Sequence, residues 1–572
     1  MKKTLFESLV DYDIAVLTVL ATTRGVTLGS GAPISAAREL AAQLLSPTSV
    51  AIAVADLSPD EGAALAMLQT SGGWVESPRF ARQFGSVRPM GPGRLARERP
   101  WQTPANPTEA LWYRGLIFQG FRPGAERLVE SFYIPDDLLV LLPEPPAPEP
   151  APDMAPAGAP PHVHTATAAL VEDVFHILVY LRRRPLHLDA AGSPAAHDLQ
   201  AINALFVRPL PADQLAPAVA GGNRLGLLLQ VCRAAGLTTS HAQRLAVSRE
   251  RARAWLQASP ERRLFELQTA WRQDSDWNDL RHVPSLKILD TGWRNDPLLA
   301  RQAVLACLAT CRPLVWYRVE DLVATVKRSD PDFQRPDGDY STWYIHDLRD
   351  RPLMGFEHWD EVEGALIRHL VTCPLYWLGV VDLGSEAEDG ACRTTFRVSR
   401  AAACLLGQAT VAAAESPGAE ESPDASFIVR DDFSVHAAPD ARLVDRFQLA
   451  RFADIAGREG ETAIYRISPG GVNLAGKQGI GVAQISAFLL RITGQRVPPR
   501  VLEALERWQK VGAARLERTF ILHLDGPEML AHLRRDTELG ALLGGTIGPS
   551  SVLIPATHEQ RVRRWLTEHG YL

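Results

Sequence analysis

The residues whose spacing is most suggestive of chemistry lie in the stretch PGGVNLAGKQG, residues 469–479. Gly471, Gly476 and Lys477 have the spacing of a P-loop, in which backbone N–H groups and a lysine surround the phosphates of ATP. Gln478 stands where a serine or threonine hydroxyl would bind Mg²⁺. This stretch raises the question of whether the chain hydrolyses ATP.

The residues around this stretch favour a short helix over a phosphate loop. Ser468 is a good helix N-cap, Pro469 suits the first helical position, and Gly479 suits the C-terminal cap. The apolar segment at 376–384 carries Asp382, which superficially resembles a Mg²⁺ ligand, but it precedes the glycines, whereas in the usual motor it follows them. We therefore predict a protein that is not an enzyme, with an ATP-dependent helicase as a remote alternative.

Other catalytic and metal-binding patterns are missing from the sequence. His162 and His164 have no convergent cysteine or carboxylate, so we expect solvated side chains rather than ligands. We expect buried thiols at Cys307 and Cys311, which are four residues apart on a predicted helix. The scattered cysteines contain no CxxC pair, and we predict no metal, no cofactor and a reducing compartment. They are Cys232, Cys307, Cys311, Cys373, Cys392 and Cys404.

Arginines dominate residues 79–99, RFARQFGSVRPMGPGRLARER, where Glu98 is the only acidic residue. Guanidinium groups form strong paired hydrogen bonds with phosphates, so we predict that this group binds DNA. The alternative is that arginines are spread over every solvated face of an arginine-rich chain. The predicted DNA-binding residues are Arg79, Arg82, Arg88, Arg94, Arg97 and Arg99, with Arg114 on the following helix.

A second basic group lies near the C-terminus, where Glu503 and Glu506 oppose it. Position rather than number decides whether such charges reach a phosphate. The predicted DNA-binding residues here are Arg496, Arg500, Arg507 and Lys510.

The chain has 572 residues, a length that corresponds to roughly three to five domains. Its 46% hydrophobic and 22% charged residues are typical of a folded protein, and the net charge of −6 gives no overall attraction for nucleic acid. We expect a cytoplasmic protein without a membrane contact, because no apolar run approaches roughly 18 residues and acidic residues interrupt the N-terminal apolar segment.

Composition divides the chain at two polar segments. Residues 143–161 are nearly all proline, alanine and acidic side chains, which favours an extended linker, and residues 412–426 form an acidic linker. The predicted domains between them are 1–142, which contains a winged helix, 162–275, which is helical with a hairpin, 276–411, which is winged-helix-like, and 427–572.

A helix, a glycine and a strand pair recur along the chain. LWYRGLIF at 111–118 and LYWLGVVD at 375–382 share two aromatics, a glycine and two aliphatics, and each precedes a strand that leads into a capped helix. Looser copies lie at 234–256 and 508–530, each with a hairpin expected between two helices. The predicted fold is therefore α+β and α-rich, with about four such units.

A helix, a turn, a second helix and a two-stranded wing define the winged-helix arrangement. The helices predicted for the first unit are 60–72, 77–85 and 106–121, and those for the third are 296–311, 317–328 and 358–373. The alternative is a generic α+β pattern in which helix, glycine and hairpin follow one another without that topology.

Three segments carry a resemblance to a known family. WQTPANPTEALWYRGLIF at 101–118, the stretch at 427–468 ending in YRIS, and the closing run from GIGVAQISAFLLRITG through WLTEHGYL resemble the N-terminal, non-motor domain of XPB-type DNA helicases. The chain is similar to the bacterial proteins called helicase-associated, most closely over 427–572. It lacks every motor motif of the true helicases.

The resemblance implies a role linked to DNA repair or transcription, with the helicase motor on another protein, and it supplies no catalytic residues. It also implies a helix after the YRIS strand. The resulting expectation is a DNA-binding protein that contacts phosphates through arginine-rich winged-helix surfaces. The alternative is a protein–protein adaptor that recruits a separate helicase or nuclease, because winged helices also dock proteins.

Overall fold

The computed structural model describes residues 3–29, 31–123, 128–145, 154–165, 167–190, 192–211, 215, 222–387, 393–410, 426–511 and 518–572. The chain forms two compact units, Met1–Glu420 and Glu421–Leu572. Helices and small antiparallel sheets make up both units, so the predicted α+β class is confirmed. The predicted acidic linker falls almost entirely outside the described residues.

The first unit begins with four helices that pack against a helix and sheet arrangement at residues 59–139, the first repeat. Leu5, Leu20 and Leu40 of these helices are fully buried in a cluster that includes Phe118 and Tyr133 of the first repeat. The elements are α1 (Leu5–Val10), α2 (Ile14–Thr23), α3 (Pro33–Leu44), α4 (Pro47–Ala55), α5 (Pro59–Thr70), β1 (Trp74–Glu76), α6 (Ser77–Phe84), α7 (Pro92–Glu98), α8 (Pro107–Tyr113), β2 (Phe118–Pro123), β3 (Leu128–Tyr133) and α9 (Asp136–Leu139).

The second repeat, residues 167–257, uses the same kinds of element after a short strand. The repeat ends with the helix Arg249–Gln257. A further helix, Pro260–Gln273, follows it and is capped by Ser259. The elements are β4 (His162–His164), α10 (Thr167–Arg183), β5 (Leu186–His187), α11 (Ala196–Asn203), α12 (Arg224–Ala234), β6 (Thr238–His241), β7 (Arg244–Val247), α13 (Arg249–Gln257) and α14 (Pro260–Gln273).

The third repeat, residues 297–398, follows a strand at residues 286–288 that pairs with a strand inside the repeat. The strand pair β8 and β10 forms a separate small sheet. The elements are β8 (Leu286–Ile288), α15 (Pro297–Thr310), β9 (Trp316–Arg318), α16 (Val319–Ser329), β10 (Ile345–Asp347), α17 (Trp359–Leu370), β11 (Val381–Ser385) and β12 (Arg393–Val398).

All three repeats share one topology. In the described residues of each, a helix precedes a short strand, helices follow, and a hairpin closes the unit, with the last strand between its hairpin partner and the short first strand. The first repeat has an additional helix, α7, between the strand and the hairpin, and the third has the additional strand β10 there. The three sheets accordingly have the orders β1-β3-β2, β5-β7-β6 and β9-β12-β11. The predicted repetition is therefore present three times in the first unit, including the looser copy at 234–256.

A glycine turn starts each hairpin. Gly115, Gly236 and Gly379 have φ values of +67°, +69° and +70°, a region that side chains disfavour. In the first repeat the N–H of Leu116 donates to Leu111 O at 3.1 Å, which closes the helix end. The helix predicted over 106–121 is therefore too long: it ends at Tyr113, and residues from Phe118 onward form β2.

The end of the predicted Pro/Ala linker lies against the third repeat. The N–H of Ala157 donates to Trp316 O at 2.7 Å, and β4 pairs with β11 as a fourth strand of that sheet. Residues 146–153 of this linker lie outside the described residues. The last part of this linker thus contacts the third repeat, and the strand that follows it, β4, pairs with the sheet of that repeat.

The second unit contains a four-stranded sheet of order β13-β14-β16-β15 with helices beside it, and a smaller module at residues 518–572, the terminal module. Its elements are β13 (Phe427–Val429), β14 (Ser434–Ala437), α18 (Leu443–Leu449), β15 (Ala453–Glu459), β16 (Thr462–Ile467), α19 (Pro469–Lys477), α20 (Val482–Ile492), α21 (Pro499–Val511), β17 (Thr519–His523), α22 (Pro527–Arg535), β18 (Thr546–Gly548), β19 (Ser551–Pro555) and α23 (Glu559–Glu568).

The hairpin predicted within 508–530 is wrong for the described part of that segment. Between α21 and α22 a single strand, β17, pairs with β19, more than twenty residues further on. Long-range pairing of this kind leaves no local sequence signal. Among the described residues, no helix is long and apolar enough to cross a membrane.

Candidate nucleic-acid interface

The first two predicted arginines lie between the first and third repeats. Arg82 forms an ion pair with both carboxylate oxygens of Asp332, and Arg79 Nε lies 3.6 Å from the same carboxylate. The side chain of Asp332 is only 2% exposed. Arg79 and Arg82 therefore hold two parts of one chain together.

Aromatic rings complete the surroundings of Arg82. Its guanidinium carbon is 5.1 Å from the ring centre of Tyr340 and 4.5 Å from that of Phe356, distances at which a cation is attracted to the ring face. The hydroxyl of Tyr340 donates to Asp332 at 3.0 Å. A guanidinium with this set of partners has little capacity left for a phosphate.

Two further predicted arginines neutralise carboxylates inside the first repeat. Arg88 donates from Nε at 2.8 Å and from Nη2 at 2.7 Å to Glu109, whose side chain is fully buried. Arg114 Nη1 donates to Glu61 at 2.6 Å, and Asp56 lies 3.5 Å away. Both pairs connect a helix to a neighbouring segment.

The pair Arg88–Glu109 also perturbs acid–base behaviour. Burial alone would raise the pKa of Glu109, but hydrogen bonds from Arg88 and from the N–H of Ala105 outweigh it and hold that pKa below its usual range. The hydrogen bond to Glu109 raises the pKa of Arg88. Both groups are therefore charged over the whole ordinary pH range.

The remaining arginines of the first group lie on or next to α7 and are exposed. Arg94 Nε donates to Glu98 at 2.8 Å, and Arg97 is 3.7 Å from the same carboxylate with 77% of its side chain exposed. Arg99 ends the helix in the left-handed region with φ of 46°. Only these three of the seven predicted residues remain on the surface as a basic group.

The C-terminal group is partly committed to intramolecular contacts. Arg500 lies over the ring of Phe433, with 5.9 Å from its guanidinium carbon to the ring centre. Arg507 is exposed on α21, and Arg496 is exposed before it. The side chain of Lys510 lies outside the described residues.

The third helix of each repeat is buried within the first unit. Residues 106–118, which include α8, contain no exposed residue. On α12 only Arg233 and Ala234 are exposed, and on α17 only Asp360 and Glu361. The helix that enters the DNA groove in many helix-turn-helix proteins is thus covered or acidic in all three repeats.

The hairpin of the second repeat is the exception to this burial. Residues 239–244, from β6 through the turn to β7, are all exposed. Ala242 and Gln243 form the turn with φ of 47° and 57°, the backbone of a tight two-residue turn. This hairpin, the second wing, projects into solvent with Arg244 beside its tip.

A single residue separates this hairpin from helix α13, which adds further arginines. Arg249 and Arg253 are exposed and four positions apart, hence on one helix face. Arg251 is more restrained, since it donates to Ala235 O at 3.3 Å and lies 3.8 Å from Glu266. Within the described residues, the side chains of Arg244, Arg249 and Arg253 have no hydrogen bond or ion pair to a protein group.

Sequence reasoning placed the 234–256 segment among the repeats but missed its arginines as a site. The sequence feature that could have identified this site is a cluster of arginines directly after a predicted hairpin. Residues 79–99 contain more arginines in a shorter stretch, so the number of arginines favoured that segment as the DNA-binding site. Which arginines have a carboxylate partner, as Arg82 does in Asp332, depends on contacts far apart in sequence.

The P-loop-like stretch is helical, as its capping residues predict. Helix α19 runs from Pro469 to Lys477, and Ser468 Oγ accepts the N–H of Gly471 at 3.1 Å. An ideal Cβ at Gly471 would lie 2.3 Å from Phe452 O, so this glycine allows close helix–strand packing. The glycines and the lysine therefore sit inside a helix rather than in a loop before one.

The predicted solvated histidines are instead half-buried, whereas of the two predicted buried thiols Cys311 is buried and Cys307 is partly buried. His162 and His164 lie in β4, and His164 Nε2 is 2.8 Å from Ser385 Oγ. Burial raises the pKa of Cys307 to about 11 and of Cys311 to about 12, which keeps these thiols protonated. In the described part of the chain, no three His, Cys, Asp or Glu side chains are placed to hold a metal ion.

No protein-family model matches this chain, and no curated protein matches it.

Proposed function

We propose that this protein is a non-catalytic DNA-binding protein and that its three repeats are winged-helix modules. The order helix, strand, helices, hairpin, with the last strand between its hairpin partner and the short first strand, supports the module assignment. The resemblance to the non-motor domain of XPB-type helicases over residues 427–572 supports a role beside a separate helicase. That role is DNA repair or transcription.

The exposed, unpaired arginines of the second wing and α13 carry this proposal. Arg244, Arg249 and Arg253 have no acidic partner among the described residues, whereas Arg82, Arg88 and Arg114 each have one. A free guanidinium binds a phosphate without first breaking an internal ion pair. The second wing and α13 therefore replace residues 79–99 as the principal DNA contact, with Arg94, Arg97 and Arg99 as a second basic group.

The buried third helices determine the kind of contact. With α8, α12 and α17 packed into the first unit, none of them enters a groove to contact base edges. Wing and helix arginines then meet the sugar–phosphate backbone, which fixes position on DNA without selecting sequence. Binding should be weakly sequence-dependent and strongly salt-dependent.

Fluorescence anisotropy with a labelled duplex across a salt series tests the proposal. The full chain is compared with a triple Arg244→Ala, Arg249→Ala, Arg253→Ala variant. Loss of three phosphate contacts should reduce the slope of log affinity against log salt by about 3 and weaken binding at least tenfold at low salt. The matched control is the triple Arg94→Ala, Arg97→Ala, Arg99→Ala variant, which removes the same charge elsewhere and should have the smaller effect.

Two results would contradict the proposal. Absence of duplex binding at low salt overturns the proposed duplex contact. Equal loss in both triple variants shows that overall charge, not the second wing, determines binding.

A protein–protein adaptor that recruits a helicase or nuclease is the second candidate. The observation in its favour is that α17 offers no cation where a winged helix would approach DNA: its exposed residues are Asp360 and Glu361, whose carboxylates pair with Lys327 and Arg351. A partner that binds the full chain in both triple-alanine variants would support this candidate.

A further inference from the structure

The terminal module contains a cavity of about 350 Å³ that the proposed DNA contact does not use. Residues of α22, namely His532 and Arg535, line one side of it, and Trp565, His569 and Tyr571 line the other. This volume lies at the lower end of the range for small-ligand sites. The cavity combines aromatic rings with the guanidinium group of Arg535.

The three rings of the cavity are nearly parallel. The ring centres of Trp565 and His569 are 3.9 Å apart with an angle of 11° between planes, and those of Trp565 and Tyr571 are 6.1 Å apart with an angle of 5°. The N–H of Tyr571 donates to Leu566 O at 2.8 Å, which turns the chain back at the end of α23. Helix termination therefore builds an aromatic platform of fixed orientation.

A histidine and an arginine of α22 stand at the edge of this platform. His532 and Arg535 are three positions apart on α22 and both are exposed. Neither side chain has a hydrogen bond or ion pair to another group in the part of the chain that the structure describes. Asp536, which also lines the cavity, accepts the backbone N–H of Glu538 at 2.9 Å and that of Leu539 at 2.7 Å, so its carboxylate is held in place.

We propose that this cavity binds an unpaired nucleobase together with its phosphate, as presented by single-stranded nucleic acid. A flat ring and an adjacent anion match the two features of the site: bases stack on aromatic side chains, and Arg535 faces the phosphate. The inference rests on the proposed function, which supplies the class of ligand, nucleic acid. It concerns other residues in the second compact unit and a different form of nucleic acid.

Two surface variants of the full chain test the site. Tyr571→Leu removes the ring at similar bulk from a side chain that is 40% exposed, and Arg535→Gln removes the charge. Anisotropy with a fluorescein-labelled twelve-residue oligothymidylate should show each variant binding about fivefold to tenfold more weakly than the unaltered protein. The matched control is Arg564→Gln, an exposed arginine of α23 that does not line the cavity, and it should bind as the unaltered protein does.

Photo-crosslinking adds a structural readout. An oligonucleotide with 5-iododeoxyuridine should crosslink to the peptide that contains Tyr571, and mass spectrometry identifies it. Thymidine monophosphate at millimolar concentration should compete if a single nucleotide satisfies the site. Failure to compete, with the crosslink retained, shows that neighbouring nucleotides of a strand are needed, and both results support a base-binding cavity.

The outcomes separate this inference from the proposed function. No single-strand binding, or equal binding by the unaltered protein, Tyr571→Leu and Arg535→Gln, overturns the inference. The Arg244, Arg249, Arg253 triple variant should lose duplex binding and keep the Tyr571 crosslink. If duplex binding is absent while the crosslink forms, the proposed duplex contact fails and the single-strand site stands.

Discussion

Arg82 contacts both carboxylate oxygens of Asp332, a residue 250 positions further along the chain, and so joins the first repeat to the third. Because Asp332 is 2% exposed, removal of Arg82 leaves a buried carboxylate with the longer contact to Arg79 as its remaining ion pair. Arg82→Ala should lower the free energy of unfolding by about 2–4 kcal/mol. Urea unfolding at pH 7 measures this difference.

An exposed arginine supplies the control for this prediction. Arg97 is 77% exposed, so Arg97→Ala should change the free energy of unfolding by about 0.5 kcal/mol or less. Hydrogen exchange should also accelerate around Asp332 in Arg82→Ala and not in Arg97→Ala. Similar unfolding curves for both variants would show that the contact between repeats contributes little.

Local signals were sufficient to predict the repeated elements. Gly115 and Gly379 end helices through turns set by a few neighbouring residues, so sequence alone places the hairpins that follow. Helix α19 was predictable for the same reason, since Ser468 and Pro469 define its start. The α+β class follows from such elements.

Long-range pairing limited the prediction of the candidate site. No local sequence feature distinguishes Arg82 from Arg253, yet the side chain of Arg82 pairs with Asp332 and Arg253 is exposed to solvent. Charge density along the chain therefore cannot show which arginines are available to a phosphate. The burial of α8 under the N-terminal helices is likewise a tertiary contact without a local pattern.

Glu109 should make stability depend on pH below its ordinary titration range. Its pKa is lowered in the folded protein, so the unfolded chain binds a proton first as the pH falls. The stabilisation is complete above the unfolded pKa of about 4.3 and is lost as the pH falls through the lower folded pKa. Glu109→Gln should be less stable at pH 7, and its difference from the unaltered protein should shrink below pH 4.

Urea unfolding from pH 7 to pH 3.5 checks this dependence in both proteins. A constant difference across that range would mean that the hydrogen bonds from Arg88 and Ala105 do not favour the charged carboxylate.

The turn of the second wing should be easy to stabilise. Ala242 and Gln243 have positive φ values, which favour asparagine and glycine in a two-residue hairpin turn. The double variant Ala242→Asn, Gln243→Gly should raise the free energy of unfolding by about 1 kcal/mol. Thermal unfolding measures the change, and duplex affinity should stay the same because Arg244 is untouched. A lower melting temperature would show that the turn has another backbone conformation.

The two glycines of the P-loop-like stretch should respond in opposite ways. A Cβ at Gly471 would meet Phe452 O at 2.3 Å, so Gly471→Ala should destabilise the protein by about 2 kcal/mol. A Cβ at Gly476 meets nothing within 4 Å, so Gly476→Ala should stabilise α19 by about 0.5–1 kcal/mol. Urea unfolding of both variants distinguishes a packed helix from a phosphate loop, in which a glycine at 476 would be required.

Two histidines, the half-buried His282 and the buried His369, should lower stability in mild acid. Burial lowers the pKa of His282 to about 4, assisted by Arg281, and lowers the pKa of His369 to about 4, assisted by His282. Nε2 of His369 is buried without a hydrogen-bond partner in the described part of the structure. Between pH 6.5 and pH 4 the unfolded chain therefore binds protons that the folded protein excludes, and stability falls as the pH falls.

Each unit of pKa shift corresponds to about 1.4 kcal/mol, so the two histidines together should cost several kcal/mol by pH 4.5. His369→Leu removes one titrating group at similar volume, and its stability should decline about half as steeply between pH 6.5 and pH 4.5. Exposed His523 provides the control, since His523→Gln should keep the full slope. If His369→Leu declines as steeply as the unaltered protein, His369 is protonated in the folded state and its surroundings must open to water.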